Sequence, residues 1–307
     1  MAEFKKELFV IKGKDLEEME TISRPSLTFF QDAWRRFRKN KTAMIGLFII
    51  ALYALLSIFA PILSQYEYTA TNSSLMNALP SLQHPFGCDS VGRDLWVRVW
   101  RGGRVSLSIG LVSALVNMCV GAVIGGLCGY YGGKLDMIVM RIVDILYGIP
   151  SLIITILVMM VLGKGVMALV VALCIVGWIG TCRFVRGEVY RLKEQDFVLA
   201  AKVMGVSDIV IILRHIIPNI LGMMITNMCM AIPGAIFQEA FLSYIGVGIA
   251  APDCSWGVLA NEGIQYLIIY PQELYIPAMA SCTTMLALNL LGDGLRDAVD
   301  PKLRGTE

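Results

Sequence analysis

The chain alternates between long uncharged, apolar runs and short segments that carry most of the charged residues. A helix rises about 1.5 Å per residue, so about 20 apolar residues cross a hydrocarbon core about 30 Å thick. Backbone polar groups inside lipid must be paired within their own segment, so each run is expected to be a helix. Six runs meet or approach this length: residues 42–66, 105–133, 145–163, 165–182, 219–238 (continuing past Glu239 to 252) and 274–292.

This pattern predicts an all-α membrane protein with six transmembrane helices. Pro150 and Pro233 lie inside the third and fifth runs, where a missing backbone donor is expected to kink each helix. The predicted layout is a tail (1–41), a first transmembrane helix (42–66), an outer loop (67–104), a five-helix core (105–294) and a second tail (295–307). The outer loop is expected to contain a helix on the membrane surface over 94–104, and the core to contain an inner segment (183–218) and an outer loop (247–273).

Composition supports a membrane protein and excludes several other classes. Of 307 residues, 56% are hydrophobic and 16% are charged, whereas about 25% of the residues in a soluble domain are charged. A disordered chain, a coiled coil and an ordinary soluble enzyme are therefore excluded. The net charge of +2 provides no broad basic surface for nucleic acid.

Lysine and arginine placement predicts the orientation in the membrane. If the 1–41 tail is cytoplasmic, 21 of the 26 basic residues lie in inner segments and five in outer ones. Cytoplasmic segments carry the excess of Lys and Arg, so both termini are expected in the cytoplasm. The exceptions are Lys164 and four arginines in 93–104, which a helix along the membrane surface would accommodate.

The inner segment 183–218, here called the coupling segment, is expected to contain two short helices. Gly205 is expected to end the first, Ser207 or Asp208 can cap the second, and Phe197, Ala200, Ala201 and Met204 are expected on one helical face. This pattern favours a docking surface over a solvated connector. The candidate contact residues are Glu194, Asp196, Phe197, Ala200, Ala201, Met204, Gly205, Ser207 and Asp208.

Glycines recur every four residues in the second run. Gly121, Gly125 and Gly129 would share a face on which another helix can approach closely. The alternative is loose packing with a glycine-rich turn over 129–133. We therefore treat the three glycines as candidate helix-packing positions.

Four polar residues inside apolar runs are candidates for a passage or gate: Asn117, Asn227, Glu239 and Asn289. A charge near the bilayer centre costs about 2.5–3.5 kcal/mol on insertion scales, so Glu239 is expected to face protein or water. One interpretation is a pathway or gating residue. The slightly favoured one is a structural carboxylate held by Ser243 or a neighbouring helix.

The sequence gives little indication of ATP-binding, metal-binding or enzymatic chemistry. The sequence contains no G-x-x-x-x-G-K-[ST] loop, so the chain is not expected to bind ATP by itself. His84 and His215 are expected on opposite membrane faces, which argues against a histidine metal centre. Cys88 and Cys254 are both expected outside, where a disulfide is one possibility and free thiols the other. No H-E-x-x-H or G-x-S-x-G motif indicates an intramembrane enzyme.

The segment 199–218 resembles the "EAA" signature of permease subunits in binding-protein-dependent ABC importers. Ala200, Ala201, Gly205 and Pro218 match, while Leu199 replaces the glutamate. Over about residues 28–304 the chain resembles the C-type permease subunit of dipeptide, oligopeptide or nickel importers. The matching motifs are HPFG (84–87), GRD (92–94), LKEQ (192–195), RHIIPN (214–219), EAFLSYIG (239–246), SWG (255–257) and GDGLRD (292–297).

This resemblance implies a type I importer permease fold in a bacterial cell membrane. It implies four kinds of partner: a B-type permease subunit, two ATP-binding subunits, an extracytoplasmic substrate-binding protein and membrane lipid. ATP and Mg would reside on the ATP-binding subunits, with no cofactor, metal or catalytic residue on this chain. The expected cargo is a short peptide; nickel or a metal chelate is the alternative, and an ATP-independent secondary transporter is a weaker one.

Overall fold

The computed structural model describes residues 29–299, and in this range the fold consists of helices and connecting segments. One isolated bridge, between Cys88 and Asp94, is the only β-type pairing there. The helices are α1 (Phe29–Lys39), α2 (Lys41–Leu63), α3 (Leu95–Tyr131), α4 (Gly133–Tyr147), α5 (Ser151–Leu162), α6 (Val166–Leu192), α7 (Asp196–Val203), α8 (Asp208–Tyr244), α9 (Trp256–Ile264) and α10 (Gln272–Val299).

Five helices are long and apolar enough to cross a membrane: α2, α3, α6, α8 and α10. The most extensive packing is between α3 and α6. Helices α8 and α10 pack on each other, and α2 packs on both α3 and α10. Many of their apolar side chains remain exposed, as expected for helices that face lipid or a partner. The all-α membrane fold predicted from the apolar runs is confirmed.

The prediction that residues 145–163 form one kinked helix is wrong. The chain forms α4 and α5 there, bent by 86° at the break between Tyr147 and Ser151. Pro150 lacks a backbone donor and disfavours helical geometry at the residue before it, so the predicted kink is a full break. If this bent pair forms one crossing, the spans number six; otherwise they number five.

The predicted surface helix over 94–104 is the first part of α3, which continues unbroken for 37 residues. Asp94 caps it, because its carboxylate accepts a hydrogen bond of 2.8 Å from the Val97 amide. No proline interrupts the sequence from Leu95 to Tyr131, so nothing ends the helix at residue 104. The predicted surface helix and the second predicted span therefore form one helix, and the boundary between outer loop and span at residue 104 stays a prediction.

The arginines of this segment are accommodated by protein rather than by the membrane surface. Arg98 is 1% exposed and lies 2.5 Å from Asp89 and 2.7 Å from Glu262. Arg93 contacts the same two carboxylates at 2.6 and 3.1 Å. Buried charges are tolerated when they are paired and hydrogen-bonded. This ion cluster joins the loop before α3 to α9.

Two helices extend past the charged residues that bound the predicted runs. The fourth run ends at residue 182 but α6 continues to Leu192, and the fifth begins at 219 but α8 begins at Asp208. Charged residues end a hydrophobic run without ending a helix. The 1–41 and 295–307 tails contribute α1 and the end of α10, and their residues 1–28 and 300–307 lie outside the described range.

Candidate functional site at the coupling segment

Within the coupling segment, α7 is held between the end of α6 and the beginning of α8. Its buried side consists of Val198 and Ala201, which are 0% and 2% exposed. They belong to an apolar cluster with Val185 and Val189 of α6 and Ile211 of α8. Burial of this one face fixes α7 on the rest of the chain.

The opposite side of α7 is exposed and apolar. Phe197 is 41% exposed, Met204 is 74% exposed and Val203 is 89% exposed, while Ala200 is also exposed. Ala201 was expected on this face, but it points into the chain's own core because it follows Val198 by three residues. Val203 and Leu199, the latter 48% exposed, are the exposed apolar residues of α7 that sequence reasoning missed, since apolar character alone does not distinguish inside from outside.

The remaining candidate contact residues lie around this face. Glu194 is exposed, and Asp196 occupies the first turn of α7. Gly205 has a φ of +77°, a conformation that favours glycine, and it ends the helix as the sequence predicts. Ser207 is the N-cap of α8 without a side-chain capping bond, and Asp208 accepts a 2.7 Å hydrogen bond from the Tyr130 hydroxyl.

Two ion pairs tie the C-terminal part of α6 to α4. Arg186 forms a two-bond pair with Asp136, and Arg183 lies 2.5 Å from Asp144. Arg183 also stacks over the Tyr147 ring at 4.3 Å from its centroid. With the Asp208–Tyr130 bond, these contacts make α3, α4, α6 and α8 one connected unit at the end that carries the coupling segment.

The glycine ladder of α3 lies against α6. A Cβ at Gly121 would come within 2.6 Å of Thr181, and one at Gly129 within 2.7 Å of the Arg186 carbonyl oxygen. A Cβ at Gly125 would collide with the carbonyl oxygen of Cys182. The two backbones therefore approach so closely that side chains have no room. Gly132 and Gly133, both with positive φ, form the turn that follows.

Glu239 is fully buried and bonded within the chain. Its carboxylate accepts hydrogen bonds of 2.7 Å from Ser106 of α3 and 2.9 Å from Ser243 of α8. The Ser106 oxygen also accepts a 3.3 Å bond from the Trp256 amide at the start of α9. These contacts link three helices, which favours the structural interpretation, including the predicted bond from Ser243.

We expect Glu239→Leu to lower the free energy of unfolding by about 2–4 kcal/mol, because it leaves two buried hydroxyls without their acceptor. Glu239→Gln, which keeps an acceptor oxygen and similar volume, should lose less than half as much. Thermal unfolding of the purified chain in detergent measures both. If Glu239→Gln retains stability but loses transport, the carboxylate charge itself is functional and the structural interpretation is wrong.

The three asparagines do not form one polar cluster with Glu239. Asn117 lies against Gly177 of α6 in the α3–α6 contact, and its Oδ1 atom is buried without a hydrogen-bond partner within residues 29–299. Asn227 of α8 is partly buried and Asn289 of α10 is exposed. Asn289 is the most exposed of the three, while Asn117 and Asn227 are partly buried, and all three stay candidates for a passage or gate.

An exposed stripe on α8 was missed by sequence reasoning. Met230, Gly234, Phe237, Phe241 and Tyr244 follow one another at intervals of four and three residues and are all exposed. Such spacing places them on one helical face. Phe237 and Phe241 stack with ring centroids 6.5 Å apart. The hydrophobic pattern does not distinguish this face, because almost the whole segment is apolar.

The candidate thiols and histidines form no metal site in the part of the chain described. No group of three or more His, Cys, Asp or Glu side chains within 29–299 is arranged to hold a metal ion. Cys88 and Cys254 are buried free thiols, and burial raises the pKa of each to about 11. Asp94 and Asp89 add to the rise at Cys88, and Asp94 also contacts the His84 ring at 2.7 Å.

Comparison with known proteins identifies the chain. The model of the family described as "Binding-protein-dependent transport system inner membrane component" matches residues 121–305, more than half of the sequence. The chain belongs to this family. A second model, "N-terminal TM domain of oligopeptide transport permease C", matches residues 28–85. The resemblance found in the motifs is thereby confirmed.

Two relatives that align over nearly the full length of this chain are peptide permeases. The chain is 45% identical to the Bacillus subtilis "Oligopeptide transport system permease protein OppC", over 99% of this chain and 100% of that one. It is 44% identical to the B. subtilis "Dipeptide transport system permease protein DppC", over 97% and 93%. The chain is thus a multi-pass, non-catalytic permease subunit of an ABC importer.

A solved structure supports the same fold. The MetNI methionine ABC transporter in an inward-facing conformation aligns with a TM-score of 0.51, covering 67% of this chain and 97% of that chain. Sequence identity is 20%, so this likeness concerns the fold alone. The predicted type I importer permease fold is confirmed.

Proposed function

We propose that this permease subunit forms half of the passage of an ATP-driven importer for short peptides. The observation that carries the proposal is the exposed apolar face of α7, held on a connected inner unit in a chain related to peptide permeases. Exposed apolar surface outside the membrane-spanning part of a helix is typical of a protein contact. Its partner would be a cytoplasmic ATP-binding subunit, one for each permease, carrying ATP and Mg.

A force applied to α7 would be transmitted directly to the membrane-spanning helices. Val198 and Ala201 pack on α6 and α8, while the Asp136–Arg186 and Asp208–Tyr130 contacts bring α4 and α3 into the same unit. Closure of two ATP-binding subunits would therefore move these helices together. Alternation between inward- and outward-open states would follow from the different affinity of those subunits for the two states.

The exposed stripe of α8 is our proposed surface toward the passage and the B-type permease subunit. It presents aromatic and small side chains, with Phe237 59% exposed, rather than a charged surface. Asn289 on the neighbouring α10 adds an exposed polar group. In this arrangement both termini are cytoplasmic, and an extracytoplasmic substrate-binding protein delivers cargo to the opposite face.

The test is reconstitution of the chain in liposomes with its B-type permease subunit, the ATP-binding subunits and the binding protein. We expect uptake of a labelled dipeptide or tripeptide with ATP inside the liposomes and none with a non-hydrolysable analogue. Uptake by this chain alone without ATP would contradict the proposal and favour a secondary transporter. ATP-driven uptake of nickel or a metal chelate, with no peptide uptake, would support an ATP-driven importer but contradict the proposed peptide substrate.

A further inference from the structure

An apolar cavity of about 350 Å³ lies between α1 and the helices α2, α8 and α10. Its lining is entirely apolar: Ala33, Trp34, Phe37, Leu47, Gly222, Ile225, Leu291, Leu295 and Val299. Trp34 contributes to the lining and is nevertheless 54% exposed, so the cavity reaches the protein surface. It is separate from the α7 face and from the stripe of α8.

Helix α1 presents two chemically different sides. Phe37 is 5% exposed and packs with Ala43 and Ala298, and the Trp34 ring stacks on Phe37 with centroids 5.7 Å apart. Arg35 and Arg38 are exposed on the other side. A helix with an apolar face and a basic face, placed directly before a spanning helix, is typical of a segment lying at the membrane surface.

Three basic side chains beside the cavity have no counter-ion among residues 29–299. Arg36 lies 2.8 Å from Asp32, whereas Arg35, Arg38 and Lys41 have no ion-pair partner among residues 29–299. Basic residues next to a spanning helix attract anionic lipid headgroups, at about 1 kcal/mol for each Lys or Arg near the surface. A tryptophan at the same level is typical of the membrane interface.

We propose that this cavity binds one acyl chain of an anionic phospholipid whose headgroup is held by Arg35, Arg38 and Lys41. A phospholipid combines the two properties found side by side here, an apolar chain and a negative head. A second permease subunit could cover apolar surface, but it would not account for three cations that have no ion-pair partner among residues 29–299. The lipid would fasten α1 to α8 and to the end of α10, because residues of all three helices line the cavity.

The experiment uses the complete transporter in phosphatidylcholine nanodiscs. These contain trace phosphatidylglycerol or phosphatidylcholine with a photoreactive group near the end of one acyl chain. After illumination, mass spectrometry locates the labelled peptides. We expect phosphatidylglycerol to label peptides containing Trp34 or Ile225 about 100-fold more than phosphatidylcholine, because three charges that each contribute about fivefold act together. Salt should reduce that preference, because it screens exposed charges.

Variants separate the headgroup from the chain contact. Replacing both Arg35 and Arg38 by glutamine should lower phosphatidylglycerol labelling about 20-fold, since each charge near the surface contributes about fivefold. Ala33→Leu should lower labelling at Ile225 by filling the cavity. Lys164→Gln, which removes one exposed charge from the α5–α6 connection, is the matched control and should change nothing.

Three outcomes would overturn the proposal. The first is equal labelling by the two lipids in the unaltered transporter, which needs no variant to fold. The second is unchanged phosphatidylglycerol labelling after loss of both arginines. The third is crosslinking that places residues 1–28 or 300–307, or the second permease subunit, inside the cavity. None of these outcomes bears on peptide uptake, so the proposed function is tested independently.

Discussion

Met204→Arg is expected to abolish peptide uptake while the chain still folds and inserts into the membrane. Met204 is 74% exposed at the end of α7, so arginine meets water rather than the chain's own core. In the assembled importer the same side chain would face an apolar surface of the ATP-binding subunit. An unpaired buried charge at an interface costs about 2–5 kcal/mol, which is at least a tenfold loss of association.

Retention of the ATP-binding subunits on the purified permease and ATP-driven peptide uptake are the two measurements. Leu82→Arg is the matched control, because Leu82 is fully exposed in the loop before α3, and it should not change retention of those subunits. Ala201→Arg should instead unfold the coupling segment, since Ala201 is 2% exposed. Normal uptake and retention with Met204→Arg would mean that α7 is a connector rather than a docking surface.

Gly125→Ala is expected to destabilise the permease by about 1–3 kcal/mol, although alanine favours helices over glycine. The added methyl group would collide with the carbonyl oxygen of Cys182, a backbone atom that moves only if α6 moves away from α3. The midpoint of thermal unfolding in detergent should fall by on the order of 5 °C. The α3–α6 contact is the most extensive in the fold, so loss of assembly with the B-type subunit should accompany it.

Gly180→Ala provides the control for this prediction. Gly180 lies in the middle of α6, but no atom of another helix within residues 29–299 lies within 4 Å of the position its Cβ would take. Alanine there should leave the free energy of unfolding unchanged or raise it by about 1 kcal/mol of helix propensity. Equal effects of the two substitutions would show that helix propensity, rather than the close approach of α3 and α6, governs stability.

The end of α7 in the coupling segment could be predicted from the sequence because it depends on a local feature. Gly205 ends α7, since its φ of +77° is a conformation that the backbone of other residues rarely adopts. The inward or outward direction of Ala200 and Ala201 could not be read, because both are small and adjacent. Burial of Val198 between α6 and α8 decides it.

Charged residues inside and beside the apolar runs illustrate the same limit. The sequence identified Glu239 as a buried carboxylate and Ser243 as a partner four residues away on the same helix. Ser106 lies 133 positions away and could not be inferred, since it approaches only when α3 packs on α8. Arg98 likewise looked like a surface residue, until Asp89 and Glu262 supplied its counter-charges.

The sequence alone determined the membrane character, the helical class and the family, because apolar length and local motifs are properties of contiguous residues. Tertiary packing alone decided which helices touch, which face of α7 stays exposed, and how a cavity forms beside α1. It also separated α4 from α5, turning a kink expected at Pro150 into an 86° break. The physical reason is that nearly every position in a membrane helix is apolar, so hydrophobicity cannot distinguish a side facing protein from a side facing lipid.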